Sequence, residues 1–571
     1  MNILGLIELH QPQDGCFGAI MSIYQKFAHE EIDENGALVS IDITWPDNFN
    51  FAYDVVDETA RETPDKLALV WRNTEGEEHF FTFEDIRRES VKAANVFLNA
   101  GIKKGDKVMV ALKRHYEYWF IAVALCRIGA VMIPVTHMLT ASDFAYRFDA
   151  ARPAAIIVTP QSGVTDCVLE AVKGRDCPIL WTVQQDREHF RNLSAEMQGQ
   201  SDQLERIQTK AEDPMLLYFT SGTTGYPKGV IHDFTYPLSH IVTARWWQQA
   251  EDGGLHFTVA ETGWAKASWG KIYGQWLTGC AVMAFDFDNF EPKQLASIIN
   301  QYKVTSFCAP PTVYRYLVRK GVPDMPSLKS AATAGEFLSP DIFHKFQERT
   351  GLILHEGYGQ TETSLVAANY KGQKAVDGSM GRPSPLYDVR LVNSDGSPTE
   401  PGEIGEIVIL PKNGRKPLGI FAGYLDNPDL YAHVWRGGVY HTGDAAWQDE
   451  NGCLWFHSRF DDIIKSGGFR IGPYEIENIL INHPAVFECS VVGVEDPLRG
   501  QAIKAFIVLE KGYEGSRELE KEIRDFCNSK LAEYKWIRLI EFVDELPKTI
   551  SGKIRKARLR EQEAEKTEER K

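Results

Sequence analysis

The chain has 571 residues, 43% of them apolar and 25% charged, with a formal net charge of −17. That length exceeds what one hydrophobic core serves, so at least two domains of a soluble globular protein are expected. The acidic balance argues against nucleic acid as a partner and requires local cations wherever an anionic ligand binds. Nine cysteines, at 16, 126, 167, 177, 280, 308, 453, 489 and 527, show no C-x-x-C pair or metal-ligand rhythm. They read as reduced, buried thiols of a cytoplasmic protein.

Residues 1–45 form an N-terminal extension. The first sixty residues lack arginine, carry Glu8 inside the apolar patch and turn acidic from Glu30, which is neither a signal nor a transit peptide. No apolar run approaches the ~20 residues that cross a bilayer, so no membrane span is expected. From about residue 50, strand-like runs alternate with amphipathic stretches: Lys107 to Leu112 then His115 to Ile128, Ala154 to Thr159, and Val304 to Ala309 then Thr312 to Lys320. This is the rhythm of β/α units.

The run Tyr218 to Gly229, YFTSGTTGYPKG, takes an apolar strand into a loop of Thr220, Ser221, Gly222, Thr223, Thr224 and Gly225 that ends at Lys228. Small residues let backbone N–H groups turn around an anion, the hydroxyls add donors, and the lysine supplies mobile charge. ATP is the expected ligand. The spacing is not that of a Walker loop, because five residues after Gly222 stands Pro227 rather than glycine. The plainer alternative is a solvated strand-to-helix connection. His232, beside this loop, reads as a structural hydrogen-bonding group.

A helix is expected from Ser339 as N-cap, through Phe343 and Phe346 on one face, to a left-handed stop at Gly351. It leads into a strand from Leu352 to Glu356 and a second loop, Gly357-Tyr358-Gly359-Gln360-Thr361-Glu362. Thr361 suits a phosphate, and Glu362 is the hard oxygen ligand that magnesium prefers. Glu362 alone also reads as a helix N-terminal carboxylate. Between Val389 and Ile409, short strands broken by Asp395-Gly396 and Pro401-Gly402 mark a β-rich subdomain. Asp444, after Tyr440-His441-Thr442-Gly443, places a carboxylate beside a tight turn, where ribose hydroxyls are commonly bound.

A compact α+β pattern follows Phe460-Asp461-Asp462: helix near Tyr474 to Ile481, strands Val486 to Val494 and Ala502 to Leu509, helix Ser516 to Leu531, strand Ile537 to Val543. Residues 561–571 form a charged tail, read as solvated helix or disorder. Hydrolase and dehydrogenase readings fail for want of G-x-S-x-G and G-x-G-x-x-G motifs.

Arg459, the run Ser466-Gly467-Gly468-Phe469-Arg470, and Pro547 to Lys553 complete a set whose order resembles the adenylate-forming superfamily of acyl-CoA synthetases, luciferases and peptide-synthetase adenylation domains. The likeness covers about residues 50 to 560. Thr262 to Lys266, Phe307 to Arg315 and Glu356 to Thr363 look most like medium-chain acyl-CoA synthetases. The resemblance implies an α/β fold: a large composite domain, 46–460, with β/α sheets and a β-rich subdomain, and a small mobile α+β domain, 461–560.

By the same resemblance Thr220 to Lys228 wrap the triphosphate, and Gly335-Glu336-Phe337 with Glu356-Gly357-Tyr358 hold adenine. Gln360 and Thr361 belong to the nucleotide loop, Asp444 takes the ribose, and Arg459 and Arg470 approach ribose and phosphates. Glu362 ligates magnesium, Lys553 bridges carboxylate and α-phosphate, and Asp461 is the hinge. Gly467, Gly468, Phe469 and Lys535 face coenzyme A. Gly359 stands where acetyl-CoA synthetases carry tryptophan, which implies an acyl opening whose depth Trp264 and Trp269 cap, although core packing suits Trp269 as well. The implied substrates are ATP, coenzyme A and a carboxylic acid of about four to ten carbons, branched or aromatic acids included. Phe337 and Glu533 replace residues that relatives often have as proline, and Gly467 one that is often serine.

Overall fold

The computed structural model describes residues 22–176, 178–220, 227–288, 290–336, 338–412, 414–549 and 553–568. By contacts the described chain divides into one unit of residues 22–220, 228–388 and 411–433, and another containing 389–410 and 434–568.

The first unit is built on two large sheets. In the eight-stranded one, Val131–Pro134 lies between Lys107–Ala111 and Pro214–Thr220, parallel to both. In the nine-stranded one, Leu255–Thr258, Ala281–Asp286, Ser306–Cys308, Ser330–Ala334 and Leu354–Gly359 run parallel. Their side chains, with those of helices Pro292–Gln301, Pro311–Lys320 and Pro340–Thr350, form one apolar core. Strands buried on both faces explain the continuous apolar runs. Because these strands are parallel, the loops after Thr258, Ala334 and Gly359 leave from one edge of the sheet, where open α/β sheets bind ligands.

The expected helix after Ser339 spans Pro340–Thr350, buries Phe343 and Phe346, and stops at Gly351 with φ 72°. Ser339 has the extended backbone of an N-cap, but its hydroxyl does not cap the helix. Pro340 at the first position removes one of the N–H groups that would need capping.

The stretch expected to be amphipathic after Lys107–Ala111 is buried in all but Tyr116, which is half-buried. Helix Glu117–Ile128 exposes no face, and Arg127 within it is paired with Asp57 and hydrogen-bonded to Ser90. Burial pushes the Glu117 carboxyl from 4.5 up to about 7, although Ser194 and Gln184 donate to it. The folded chain therefore holds a proton there that the unfolded chain has already lost between these pH values. Stability from this group is complete below pH 4.5 and lost as pH rises through about 7, a difference of about 3 kcal/mol. Glu117→Gln is expected to flatten the dependence of melting temperature on pH between 5 and 8, with its gain at pH 8. An unchanged pH profile contradicts it.

The second unit contains a four-stranded sheet, in the order Asp388–Val392, Gly405–Leu410, Tyr440–Gln448, Leu454–Arg459, and a five-stranded sheet that includes Val486–Asp496, Gly500–Leu509 and Leu539–Phe542. Helices Pro473–Leu480 and Arg517–Asn528 bury Ile476, Leu480, Leu519 and Ile523 against the latter. The charged tail is mostly helix, Lys556–Glu568, and it is anchored: Leu559 is buried, and Glu563 and Glu541 share Lys504 at 2.6 Å each.

Candidate active site

In the first unit the phosphate loop joins two antiparallel strands, Pro214–Thr220 and Lys228–Asp233, with Thr220 opposite Lys228. It is therefore a strand-to-strand connection, and Thr220 and Lys228 stand together at its base. Ser221, Gly222, Thr223, Thr224 and Gly225 lie outside the described residues. His232, on the second strand, donates from Nε2 to the Thr361 carbonyl at 2.7 Å. Burial lowers its pKa to about 4, so it is a neutral structural donor. This one bond ties the phosphate hairpin to the Gln360-Thr361-Glu362 loop.

In that loop Gln360 donates its N–H to Thr363 Oγ1 at 3.0 Å, and Glu362 Oε1 accepts from the Tyr424 hydroxyl at 3.0 Å. Among the described residues no group of three or more His, Cys, Asp or Glu side chains is gathered to hold a metal ion. A single positioned carboxylate nevertheless fits magnesium, which commonly takes one or two protein ligands and substrate phosphates.

Gly335 has φ +100°, and Lys266 Nζ donates to the Ala334 carbonyl just before it. Glu336 accepts from Thr312 Oγ1 at 2.6 Å. Phe337 lies outside the described residues. Glu356 is buried, its Oε2 without a partner among the described residues, and burial holds its carboxyl well above the usual range against the Leu338 N–H. Gly357 lets the strand approach Trp247, whose ring a Cβ would meet at 2.7 Å. Tyr358 is half-buried beyond it.

The opening expected beside Gly359 is filled. A Cβ there would lie 2.5 Å from the Ser364 carbonyl oxygen and 2.5 Å from Trp269 Cη2. Trp269 is buried, crossing Trp247 at 84° with centroids 6.1 Å apart, so it is a core residue against which Gly359 packs. Trp264, half-buried at the N-cap of helix Ala265–Gly270, remains at the sheet edge.

In the second unit Asp444 and Arg459 are directly paired across antiparallel strands. Arg459 stands between two carboxylates, its Nη1 3.7 Å from Asp444 and its Nε donating to Asp461 at 3.2 Å. Glu406 shapes the Asp444 turn by accepting from Gly443 N–H and bonding His441 and Arg436. Asp461 lies in the short turn Phe460–Asp462. Lys553 is exposed, and its backbone is clasped to Thr549 by two hydrogen bonds, of 2.8 and 3.2 Å.

Gly467 and Gly468 form the two-residue turn of a hairpin, with φ of 56° and 85° and Ser466 paired to Phe469. Two successive positive φ values select glycine here. A Cβ on either would meet no protein atom within 4 Å, so no neighbour within the chain excludes a side chain there. The Arg470 side chain lies outside the described residues.

Beside this hairpin is a cavity of about 380 Å³. Phe469 stacks on Tyr534 at 4.4 Å and 22°, and Arg499, Trp536 and Arg538 complete much of the wall, with Glu533 adding a carboxylate. Lys535 is close by but engaged, 2.6 Å from Glu475. Burial opposes its charge, yet the bond to Glu475 raises its pKa. Sequence reading missed Arg499, Tyr534 and Arg538; an aromatic flanked by cations between 533 and 538 was the available signal.

The model of the AMP-binding enzyme family matches residues 56–425, and that of the AMP-binding enzyme C-terminal domain matches 475–553. The chain belongs to the AMP-binding enzyme family. This AMP-binding enzyme is 39% identical over 532 residues to the Homo sapiens acyl-coenzyme A synthetase ACSM3, mitochondrial, covering 91% of the chain and 90% of that relative. It is 38% identical over 533 residues to the Homo sapiens acyl-coenzyme A synthetase ACSM5, mitochondrial, covering 91% of each. Among solved structures it resembles the anthranilate CoA ligase AuaEII in complex with anthranoyl-AMP, with TM-score 0.81 and 27% identity over 92% of this chain and 99% of that one. A Brucella canis acyl-CoA synthetase matches with TM-score 0.68 and 30% identity, over 91% and 95% of the two chains.

Proposed function

We propose that this chain is an ATP-dependent acyl-CoA synthetase that activates a medium-chain, branched or aromatic carboxylic acid. The observation that carries the reading is the phosphate hairpin with Thr220 opposite Lys228, tied through His232 to the Thr361-Glu362 loop. A carboxylate is a poor electrophile. Its oxygen attacks the α-phosphorus of ATP, pyrophosphate leaves, and the resulting acyl-AMP is taken by the coenzyme A thiol with loss of AMP.

Two anions meet in the first step, and Lys228 and Lys553 offset their repulsion and the charge that develops. Glu362 would hold magnesium, which would supply further charge neutralisation during the first step. Glu356 and the Gly335-Glu336 and Gly357-Tyr358 segments take adenine, and Asp444 and Arg459 take ribose and phosphate. The cavity beside Phe469 receives coenzyme A, its stacked rings and two guanidinium groups suiting an adenine nucleotide.

The test is acid-dependent ATP–pyrophosphate exchange, followed by acyl-CoA formation, across acids of two to sixteen carbons with branched and aromatic members. With the space beside Gly359 filled, the expectation that acids of about four to ten carbons outrun acetate rests on the sequence resemblance, and each methylene buried elsewhere would contribute up to ~0.8 kcal/mol. Preference for acetate or palmitate overturns the chain-length assignment; absence of exchange with every acid overturns the activity.

Asp461 is the proposed hinge between half-reactions, where a few backbone torsions absorb a domain rotation. Proline would lock φ near −65°. Asp461→Pro is expected to slow thioester formation at least about tenfold more than adenylation. Equal slowing of both steps, or of neither, moves the hinge elsewhere.

A further inference from the structure

We infer that His137, held by Glu261, accepts the proton of the coenzyme A thiol in the second half-reaction, an inference that rests on the acyl-CoA synthetase reading. His137 follows strand Val131–Pro134 by three residues, and that strand is the parallel neighbour of Pro214–Thr220, with Met132 opposite Leu216. Both strands therefore deliver their carboxyl ends to one edge, one ending at Thr220 and the phosphate loop, the other at Thr136 and His137.

Glu261 arrives from the other sheet, three residues after strand Leu255–Thr258 and immediately before Thr262-Gly263-Trp264. The two chain segments touch closely enough that any Cβ on Gly263 would overlap the Val135–Thr136 peptide. Lys266, two residues past Trp264, ties the same segment to Ala334, beside the Gly335-Glu336 loop. The dyad thus sits where the phosphate strand, the Trp264 segment and the adenine loop come together in the first unit.

Its geometry is that of an oriented base. Glu261 is buried; its Oε1 lies 2.9 Å from His137 Nδ1, and its Oε2 accepts from Thr136 Oγ1 at 2.8 Å. A carboxylate accepting the Nδ1 proton leaves the lone pair on Nε2. Among the described residues His137 Nε2 makes no hydrogen bond, and the side chain is 24% exposed. Among the described residues, the other charged or titratable groups that act on the dyad include His115, which burial keeps neutral with a pKa of about 4, Asp288, paired with Lys113 at 2.7 Å, and Arg114 and Lys271, whose charges face Glu261.

In the step itself the S–H proton passes to His137 Nε2 as sulfur attacks the acyl carbon. The C–S bond forms, the bond from that carbon to the phosphate oxygen breaks with its electron pair, and AMP leaves. The imidazolium later releases the proton to water. Sequence reading identified no base for the thiol, because His137 and Glu261 are 124 residues apart in the chain.

The test uses the full-length enzyme with synthetic acyl-adenylate and coenzyme A for the second step, and ATP–pyrophosphate exchange for the first. His137→Gln should lower the thioester rate at pH 7 by a hundredfold or more, in the range of lost general-base catalysis, and keep exchange within about threefold. The variant's rate should then climb about tenfold per pH unit until the thiol itself ionises near ~8.5, where the wild-type rate has already levelled off. Glu261→Gln should show a smaller loss with the same split. An unchanged thioester rate at pH 7, or equal loss of both steps in variants that melt like the wild type, overturns the proposal. Should the variants melt early, the wild-type profile decides: a thioester rate that keeps rising to pH 8.5 without levelling overturns it. Wild type inactive in both steps instead overturns the synthetase reading on which the proposal rests.

Discussion

Lys553→Ala is expected to lower acyl-adenylate formation by a factor of about a hundred to a thousand, while thioester formation from supplied acyl-adenylate and coenzyme A stays within about threefold of wild type. The magnitude is that of one electrostatic donor removed from a developing charge, ~3–4 kcal/mol. Lys553 is exposed, and the bonds that shape its loop come from its backbone and from Thr549. Truncation of the side chain therefore leaves the loop intact, and melting temperature should not move. The checks are ATP–pyrophosphate exchange for the first step and single-turnover thioester formation for the second. Equal loss in both assays would falsify the division of labour.

Gly359→Trp is expected to destabilise the first unit by about 3 kcal/mol or more rather than to retune chain length. The glycine carries no spare volume, since its missing Cβ position is 2.5 Å from both the Ser364 carbonyl oxygen and the Trp269 ring. Neither neighbour gives way easily: one is backbone, and the other is wedged against Trp247. Overpacking of such a site typically costs 1–3 kcal/mol and sometimes more. Combining Gly359→Trp with Trp269→Gly should recover part of the loss, because one indole then replaces the other, and a double-mutant cycle on thermal midpoints measures that coupling. A single Gly359→Trp variant that melts like the wild type and turns over acetate would restore the reading of Gly359 as an open wall.

These two positions differ in how far sequence alone carries them. The role proposed for Lys553 depends on a short loop motif whose geometry is local: Thr549 and Lys553 close it on themselves. The reading of Gly359 depended on a neighbour 90 residues away, Trp269, and no local pattern reports which space an indole from another element occupies. The Gly467-Gly468 turn lies between these cases. Its glycines were visible, and the structure adds a local reason for them, the positive φ of a two-residue hairpin.

Legible in the residue order were the β/α alternation of the first unit, the helix from Pro340 to Thr350 with its stop at Gly351, the α+β pattern after residue 473, and the family to which the loops belong. All of these rest on periodicity, turn chemistry or contiguous motifs, which operate over a few residues. It took the folded chain to show that helix Glu117–Ile128 is buried on every side, that His232 fastens two nucleotide loops together, that the charged tail is anchored through Glu563, and that Phe469 meets Tyr534. Only it brought His137 to Glu261. Each of these depends on which distant segments the sheets place side by side, and parallel strands joined by long crossovers make their neighbours at sequence separations that no local signal spans.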